Sequence, residues 1–162
     1  GLILIGGNQV MLGYLNDPEK TAAAVVSLDG MRWYKTGDKG HIDKDGFLTI
    51  VDRYSRFAKI GGEMVSLSSV EEAVRSALEA PELQCLAVAV PDAKKGESIV
   101  LLLDSADSDP SDLDDLRKRL QDHGLNPLMT PARFKIVEKI PTLASGKTDY
   151  ITARALAEQP SL

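Results

Sequence analysis

Apolar residues follow two rhythms along the chain, and the change between them marks its organisation. Over the first third they come as short runs and alternations. Leu2 to Ile5 is a continuous apolar run closed by Gly6-Gly7, which predicts a strand buried on both faces. Gly13 to Pro18 reads as a turn. Asp17 is placed there to cap a short helix with Pro18 at its first position, where the missing N–H costs nothing. That helix is expected to run from Glu19 to Val26 and to stop before Asp29-Gly30. His41 to Val51 predicts a hairpin turning at Asp45-Gly46, with Phe47, Thr49 and Val51 alternating against Leu48 and Ile50.

Beyond residue 57 a helical period joins the pattern. Ser68 with Glu71 three residues on has the form of a capping box. Val70, Ala73, Val74, Ala77 and Leu78 then make one apolar helical face, ended by Pro81. Gln84 to Val90 and Ser98 to Leu103 predict two apolar strands joined by the loop 91–97. Ser108-Asp109-Pro110-Ser111 is a good helix start; Leu113, Leu116 and Leu120 line that helix, and Gly124 is its stop. Its early Asp112, Asp114 and Asp115 and later Arg117, Lys118 and Arg119 suit the helix dipole on a solvated face. Arg133 to Val137 is a last strand, Pro141 to Lys147 a loop, and Asp149 opens a closing helix through Leu156. The order strand, helix, strand, strand, helix, strand, helix predicts a compact α+β domain of roughly 105 residues.

Between the two parts lies Asp52 to Glu63, polar and basic, with Arg53, Arg56 and Lys59 three apart and Gly61-Gly62 near its end. We read 52–56 as a hinge. It divides a β-rich segment, 1–51, expected to be the tail of a larger domain, from the α+β domain at 57–162. The chain opens in Gly-Leu-Ile-Leu-Ile without an initiator Met, as expected of a piece cut from something longer.

Composition narrows the function classes. A net charge of -5 over 162 residues argues against a nucleic-acid binder, and Arg53, Arg56 and Lys59 are too short a stripe to reverse that. Cys85 is alone, so neither an internal disulfide nor a Cys-based metal site is expected; in the run Cys85 to Val90 it reads as a buried strand thiol. His41 and His123 lack metal-ligand spacing, so no metal site is assigned. No apolar run approaches bilayer length, and no signal peptide is visible.

Candidate chemistry sits in three short stretches. Thr36-Gly37-Asp38 could be a plain turn tripeptide, or Asp38 could offer two acceptor oxygens to vicinal hydroxyls such as those of a ribose. Gly61-Gly62 fits a tight turn as well as a place where a substrate arm passes bare backbone. Lys147, after Ser145-Gly146, could be an ordinary exposed lysine or a compact cation on a flexible stem for a developing negative charge.

Four separated stretches together resemble the adenylate-forming acyl and aminoacyl ligases, which include acyl-CoA synthetases, firefly luciferase and nonribosomal peptide adenylation domains. Gly1 to Ile5 with Gly13-Tyr14-Leu15-Asn16 and Pro18-Glu19-Lys20-Thr21 resembles the end of that family's large domain. Tyr34-Lys35-Thr36-Gly37-Asp38 is similar to its ribose-binding motif. Arg53 through Glu71 resembles its hinge and following glycine loop, and Pro141 through Lys147 the loop of its catalytic lysine. Any one of these is weak; four in order over nearly the whole chain are specific. Phe57 to Leu67 most resembles a bifunctional bacterial branch of acyl-carrier-protein synthetases. Glu63-Met64-Val65-Ser66 replaces the commoner Arg-Ile-Glu pattern, Ser55 stands where many relatives have Asp or Lys, and Asp52 replaces Gly before Arg53.

The resemblance implies a small mobile domain behind the tail of an AMP-binding domain, and a two-step reaction. A fatty acid carboxylate would attack the α-phosphorus of ATP, and a phosphopantetheine thiol of acyl-carrier protein, or CoA, would then displace AMP. It implies Lys147 as catalytic residue, Asp38, Arg53, Tyr34 and Thr36 for the nucleotide, and Asp52, Arg53 and Ser55 at the hinge. Lys59, Gly61 and Gly62 would line the pantetheine channel. Mg2+ would be held by residues N-terminal to residue 1, in the missing domain that is the fragment's own partner. The fragment would be cytoplasmic and inactive alone, its parent a candidate for the bacterial inner membrane. A CoA ligase and a non-catalytic carrier-protein docking module are the alternatives.

Overall fold

A computed structural model describes residues 1–106 and 113–160. The chain separates into two compact units, Gly1–Arg56 and Phe57–Leu162.

In the first unit a 12-residue strand organises everything. Strand β1 is Leu2–Gly6, helix α1 is Pro18–Ala24, and strands β2, β3 and β4 are Val25–Leu28, Met31–Ile42 and Leu48–Arg53. All three shorter strands pair antiparallel with β3: β1 along one edge, β2 and then β4 along the other. Asp17 caps α1, its carboxylate accepting from Lys20 N at 2.9 Å, with Pro18 in the first turn. The helix is shorter than its sequence predicts. Val25 and Val26 leave it to form β2, and Asp29-Gly30, with φ of 51° and 75°, is the two-residue turn of a β2–β3 hairpin. Two β-branched residues followed by Asp-Gly pair better than they coil. Leu2–Ile5 is also not buried on both faces: Leu2 and Ile5 are exposed, because the sheet is a single layer in this unit. The β3–β4 turn is held by Asp43, whose carboxylate accepts from Asp45 N and Phe47 N, both at 2.9 Å. A single 3-10 turn, Tyr54–Arg56, ends the unit.

The second unit carries the core. Strands β5 (Phe57–Ile60) and β6 (Glu63–Ser66) form a hairpin where the sequence predicts one strand. Helix α2 (Leu67–Ala77), strands β7 (Cys85–Asp92) and β8 (Gly96–Asp104), helix α3 (Leu113–Asp122), strand β9 (Arg133–Val137) and helix α4 (Tyr150–Glu158) follow. The sheet order is β6-β5-β8-β7, and β9 lies parallel to β8. Alternation along β7 and β8 serves two faces. Cys85, Ala87, Ile99, Leu101 and Leu103 join Val70, Val74, Leu116 and Leu120 on the α2–α3 side. Leu86, Val88, Val90, Val100 and Leu102 pack with Ala153 and Ala157 of α4. A sheet covered on both faces supplies the contiguous core that a domain of this length needs.

Helix α2 begins earlier than the capping box suggests. Ser66 is its cap, accepting from Ser69 N at 3.2 Å, because Leu67 already belongs to the buried face. Glu71 is thereby released from capping and accepts from Ala87 N at 2.8 Å, tying the helix to β7. Its end comes before Pro81, at Leu78, with Glu79 at φ 53°. The predicted start of the second helix, at Ser108 to Asp112, lies outside the described residues. Among the described residues no helix is long and apolar enough to cross a membrane.

Candidate functional site

The candidate residues fall in both units. In the first, Asp38 and Arg53 are register partners on β3 and β4, so the sheet itself sets their side chains together: Arg53 Nε donates to Asp38 Oδ1 at 3.1 Å. The Asp38 side chain is 23% exposed and that of Arg53 68%. Thr36-Gly37-Asp38 is therefore no free turn but an irregular step within β3. Gly37, at φ 80°, takes the left-handed conformation that lets the strand continue. Thr36 braces the step from below: its hydroxyl donates to Ile3 O at 2.9 Å and accepts from Asp38 N at 3.0 Å.

Tyr34, two residues before Thr36, shares a side-chain hydrogen bond with Tyr14. That bond, the Tyr14 charge and partial burial hold the Tyr34 hydroxyl above its usual range, against a lesser opposing pull from Arg53. The phenol is thus kept protonated as a neutral polar group. With Ile5, Gln9, Val10 and Met11 it lines a recess of about 310 Å³. Lys20 Nζ lies 4.4 Å from the centre of the Tyr14 ring, a cation–π contact.

The predicted hinge residues lie where β4 runs out. Asp52 accepts from Arg53 N at 2.7 Å, and Ser55 stands exposed in the 3-10 turn. Arg56 is 5% exposed. Within the first unit, then, Arg53 is exposed and Arg56 buried, so these two members of the basic stripe do not share a surface.

In the second unit, Gly61 and Gly62 are the turn of the β5–β6 hairpin, at φ 59° and 94°. A Cβ at either would meet no atom within 4 Å. The positive φ values account for both glycines, and their open side leaves the backbone bare to solvent. Lys59 is exposed, and its N–H donates to Glu97 Oε2 at 2.6 Å. Lys147 stands at an exposed tip. Leu143 N donates to Lys147 O at 2.8 Å and Gly146 N to Leu143 O at 2.9 Å, closing the loop on itself; an isolated Thr142–Thr148 bridge closes its base. Asp149 N donates to Pro141 O at 2.9 Å, while the Asp149 carboxylate caps α4, accepting from Ile151 N, Thr152 N and the Thr152 hydroxyl. Those bonds, the Thr152 hydroxyl first, hold the Asp149 carboxyl below its usual range. Among the described residues no group of three His, Cys, Asp or Glu side chains could hold a metal ion.

No protein-family model matches the chain. Individual proteins do. A long-chain-fatty-acid–CoA ligase of Bacillus subtilis is 38% identical over 164 residues, covering 98% of this chain and 27% of the ligase. A 2-succinylbenzoate–CoA ligase of Listeria monocytogenes is 34% identical over 147 residues, covering 91% of this chain and 30% of its own. The o-succinylbenzoate–CoA synthetase of Bacillus subtilis, solved with its acyl-adenylate intermediate, matches with a TM-score of 0.73 at 27% identity, over 99% of this chain and 31% of the synthetase. The fold is that of the C-terminal part of adenylate-forming ligases. The chain spans less than a third of the length of those curated relatives.

Two of its residues carry no sequence signal for the positions they hold. Tyr14, the partner of Tyr34, reads as a turn residue, and Glu97 as a loop charge. Each meets its partner only through the tertiary fold, across 20 and 38 residues, which spacing along the chain does not report.

Proposed function

We propose that this chain is the C-terminal part of an ATP-dependent acid–thiol ligase that activates a fatty acid as its acyl-adenylate and passes the acyl group to the thiol of acyl-carrier protein. The parent would be the bacterial bifunctional 2-acylglycerophosphoethanolamine acyltransferase / acyl-[acyl-carrier-protein] synthetase. The observation that carries the reading is the exposed Lys147 tip. It is a flexible cation on a loop braced by its own backbone, in the unit that follows directly along the chain on the unit of Asp38.

In the first half-reaction Asp38 accepts hydrogen bonds from the ribose hydroxyls of ATP, and Arg53, already aligned with it, shares that duty. Thr36 holds the step in β3 that aims the carboxylate, and Tyr34 presents a neutral hydroxyl to the nucleotide. Lys147 lies against the α-phosphate as the carboxylate oxygen of the fatty acid attacks and pyrophosphate leaves. Its ammonium meets the charge that gathers there. In the second half-reaction Lys59 and the bare backbone of Gly61 and Gly62 line the path of the pantetheine arm. The thiol gives up its proton, its sulfur bonds to the acyl carbon, and AMP leaves. Lys147 and the glycine turn belong to one unit but serve different steps. Rotation of that unit about Asp52, Arg53 and Ser55 between the steps follows. Mg2+, bound with ATP, would be held by residues outside this fragment.

CoA as the thiol is the second reading, favoured by the CoA ligase names of the relatives. Offering holo-carrier protein against CoA to the full-length protein separates the two. Lys147→Ala in that protein should abolish ATP–pyrophosphate exchange while sparing thioester formation from supplied acyl-adenylate. Equal loss of both half-reactions would overturn the division of labour, and a full-length protein without any exchange would leave the docking-module reading standing.

A further inference from the structure

The β5–β6 hairpin is fastened to the rest of its sheet at its tip. Strand β5 pairs with β8 through a single register pair, Ile60 with Gly96, and from Val100 onward the same edge of β8 is taken by β9. On β5 the N–H groups of Lys59 and Gly61, two residues apart, point to the β8 side. Gly61 N finds a backbone partner, Lys95 O, at 2.9 Å. Lys59 N finds no strand carbonyl and is met by a side chain, Glu97 Oε2, at 2.6 Å. Two clamps thus flank Ile60, and the two-residue turn of Gly61 and Gly62 begins at the second of them. Beneath them Ala58 and Ile60 are buried, so the strand cannot shift sideways without disturbing the core.

We propose that Glu97 is a positioning residue for thiol transfer: by holding the Lys59 N–H, its carboxylate sets where the Gly61-Gly62 turn lies relative to the incoming pantetheine. The proposal rests on the reading that assigns Lys59, Gly61 and Gly62 to the thiol path. Glu97 is half-buried, so water can satisfy the Lys59 N–H if the carboxylate is lost, and the fold survives. Water cannot fix the direction of the strand end. With the clamp gone, β5 keeps its buried residues but its turn gains freedom over the short span to Gly62. Misplacement of a positioning group by an ångström can cost about a hundredfold in rate. Glu97 holds the hairpin assigned to the thiol path and has no part in the backbone bonds that close the Lys147 loop, so the defect belongs to the second half-reaction.

The test uses the full-length protein, with ATP–pyrophosphate exchange for the first half-reaction and palmitoyl-adenylate plus pantetheine for the second. Glu97→Ala should lower thioester formation, relative to exchange in the same preparation, on the order of 10- to 100-fold. Glu97→Gln, which keeps an acceptor oxygen, should recover most of it, with thermal midpoints close to the parent for both. Gly62→Ala reports on the underlying assignment. If it lowers thioester formation while Glu97→Ala does not, the positioning role is overturned and the thiol path stands. If Gly62→Ala leaves thioester formation untouched, the path assignment fails and the proposal with it. Equal loss of both half-reactions in Glu97→Ala and Glu97→Gln would mark Glu97 as a structural residue only.

Discussion

Asp38 owes its geometry to the strand opposite. Its backbone partner Arg53 brings a guanidinium to one carboxylate oxygen, and Thr36 holds its N–H. Because Arg53 is mostly exposed, the pair contributes at most about 1 kcal/mol to stability. Hydrogen bonds to a charged group are worth about 1.5–3 kcal/mol. Asp38→Asn in the full-length protein should therefore raise the KM for ATP in exchange by roughly 10- to 100-fold with little change in thermal midpoint; an unchanged KM would remove Asp38 from the nucleotide site. Cys85 makes the opposite case, a residue whose burial settles its chemistry. Burial pushes its thiol from 9.0 up to about 11, with Arg75 opposing. The folded chain then holds a proton that the unfolded chain releases near pH 9. The stabilisation is complete below pH 9.0 and is lost as pH rises to about 11, on the order of 2–3 kcal/mol. Urea midpoints should fall more steeply between pH 8.5 and about 10.5 in the parent than in Cys85→Ala. Parallel slopes would refute the burial effect.

Elements with strong caps and long periods are legible along the chain. Asp17-Pro18 starts α1, and Asp149 starts α4, just as their side chains suggest, because capping is settled within three residues. The failures lie where a tertiary partner competes. Val25-Val26 leaves a helix for β3, and Ser66 takes the cap of α2 because Leu67 is already core. Loop and helix are continuous at the Lys147 tip, since Asp149 joins Pro141 O to the first turn of α4. Asp149→Ala should speed hydrogen exchange at Ile151, Thr152 and Leu143 and lower ATP–pyrophosphate exchange without blocking thioester formation. The carboxylate is held below its usual range, so the cap is complete above the ordinary aspartate pKa and lost as pH falls through the lowered value. Unchanged protection at Leu143 would mean the cap and the loop are independent.

Burial is divided very unevenly between the two units. In residues 1–56 only Gly40 and Arg56 are fully buried, while Leu2, Ile5, Leu12, Leu15, Phe47, Leu48, Ile50 and Val51 are exposed. The second unit holds two clusters of buried side chains, one on each face of its sheet. Expressed separately, 57–162 should unfold in one cooperative transition followed by circular dichroism. Residues 1–56 should show none and should bind a hydrophobic dye. A cooperative transition in the short piece would show that its single-layer sheet suffices.

From its residue order alone the chain determines most of its strands and helices and the polar break near residue 52, and it nominates Asp38, Arg53 and Lys147 as candidates. These are local facts, written in period, caps and short motifs. Tertiary structure decided what those residues meet: Arg53 beside Asp38, Tyr14 beside Tyr34, Glu97 beneath Lys59, and Arg56 withdrawn from the basic stripe. The Asp38–Arg53 pair is chosen by register across a sheet, where one residue of slip would turn each side chain to the other face; the others are chosen by where turns and loops fold back. Spacing along the backbone carries no record of that choice.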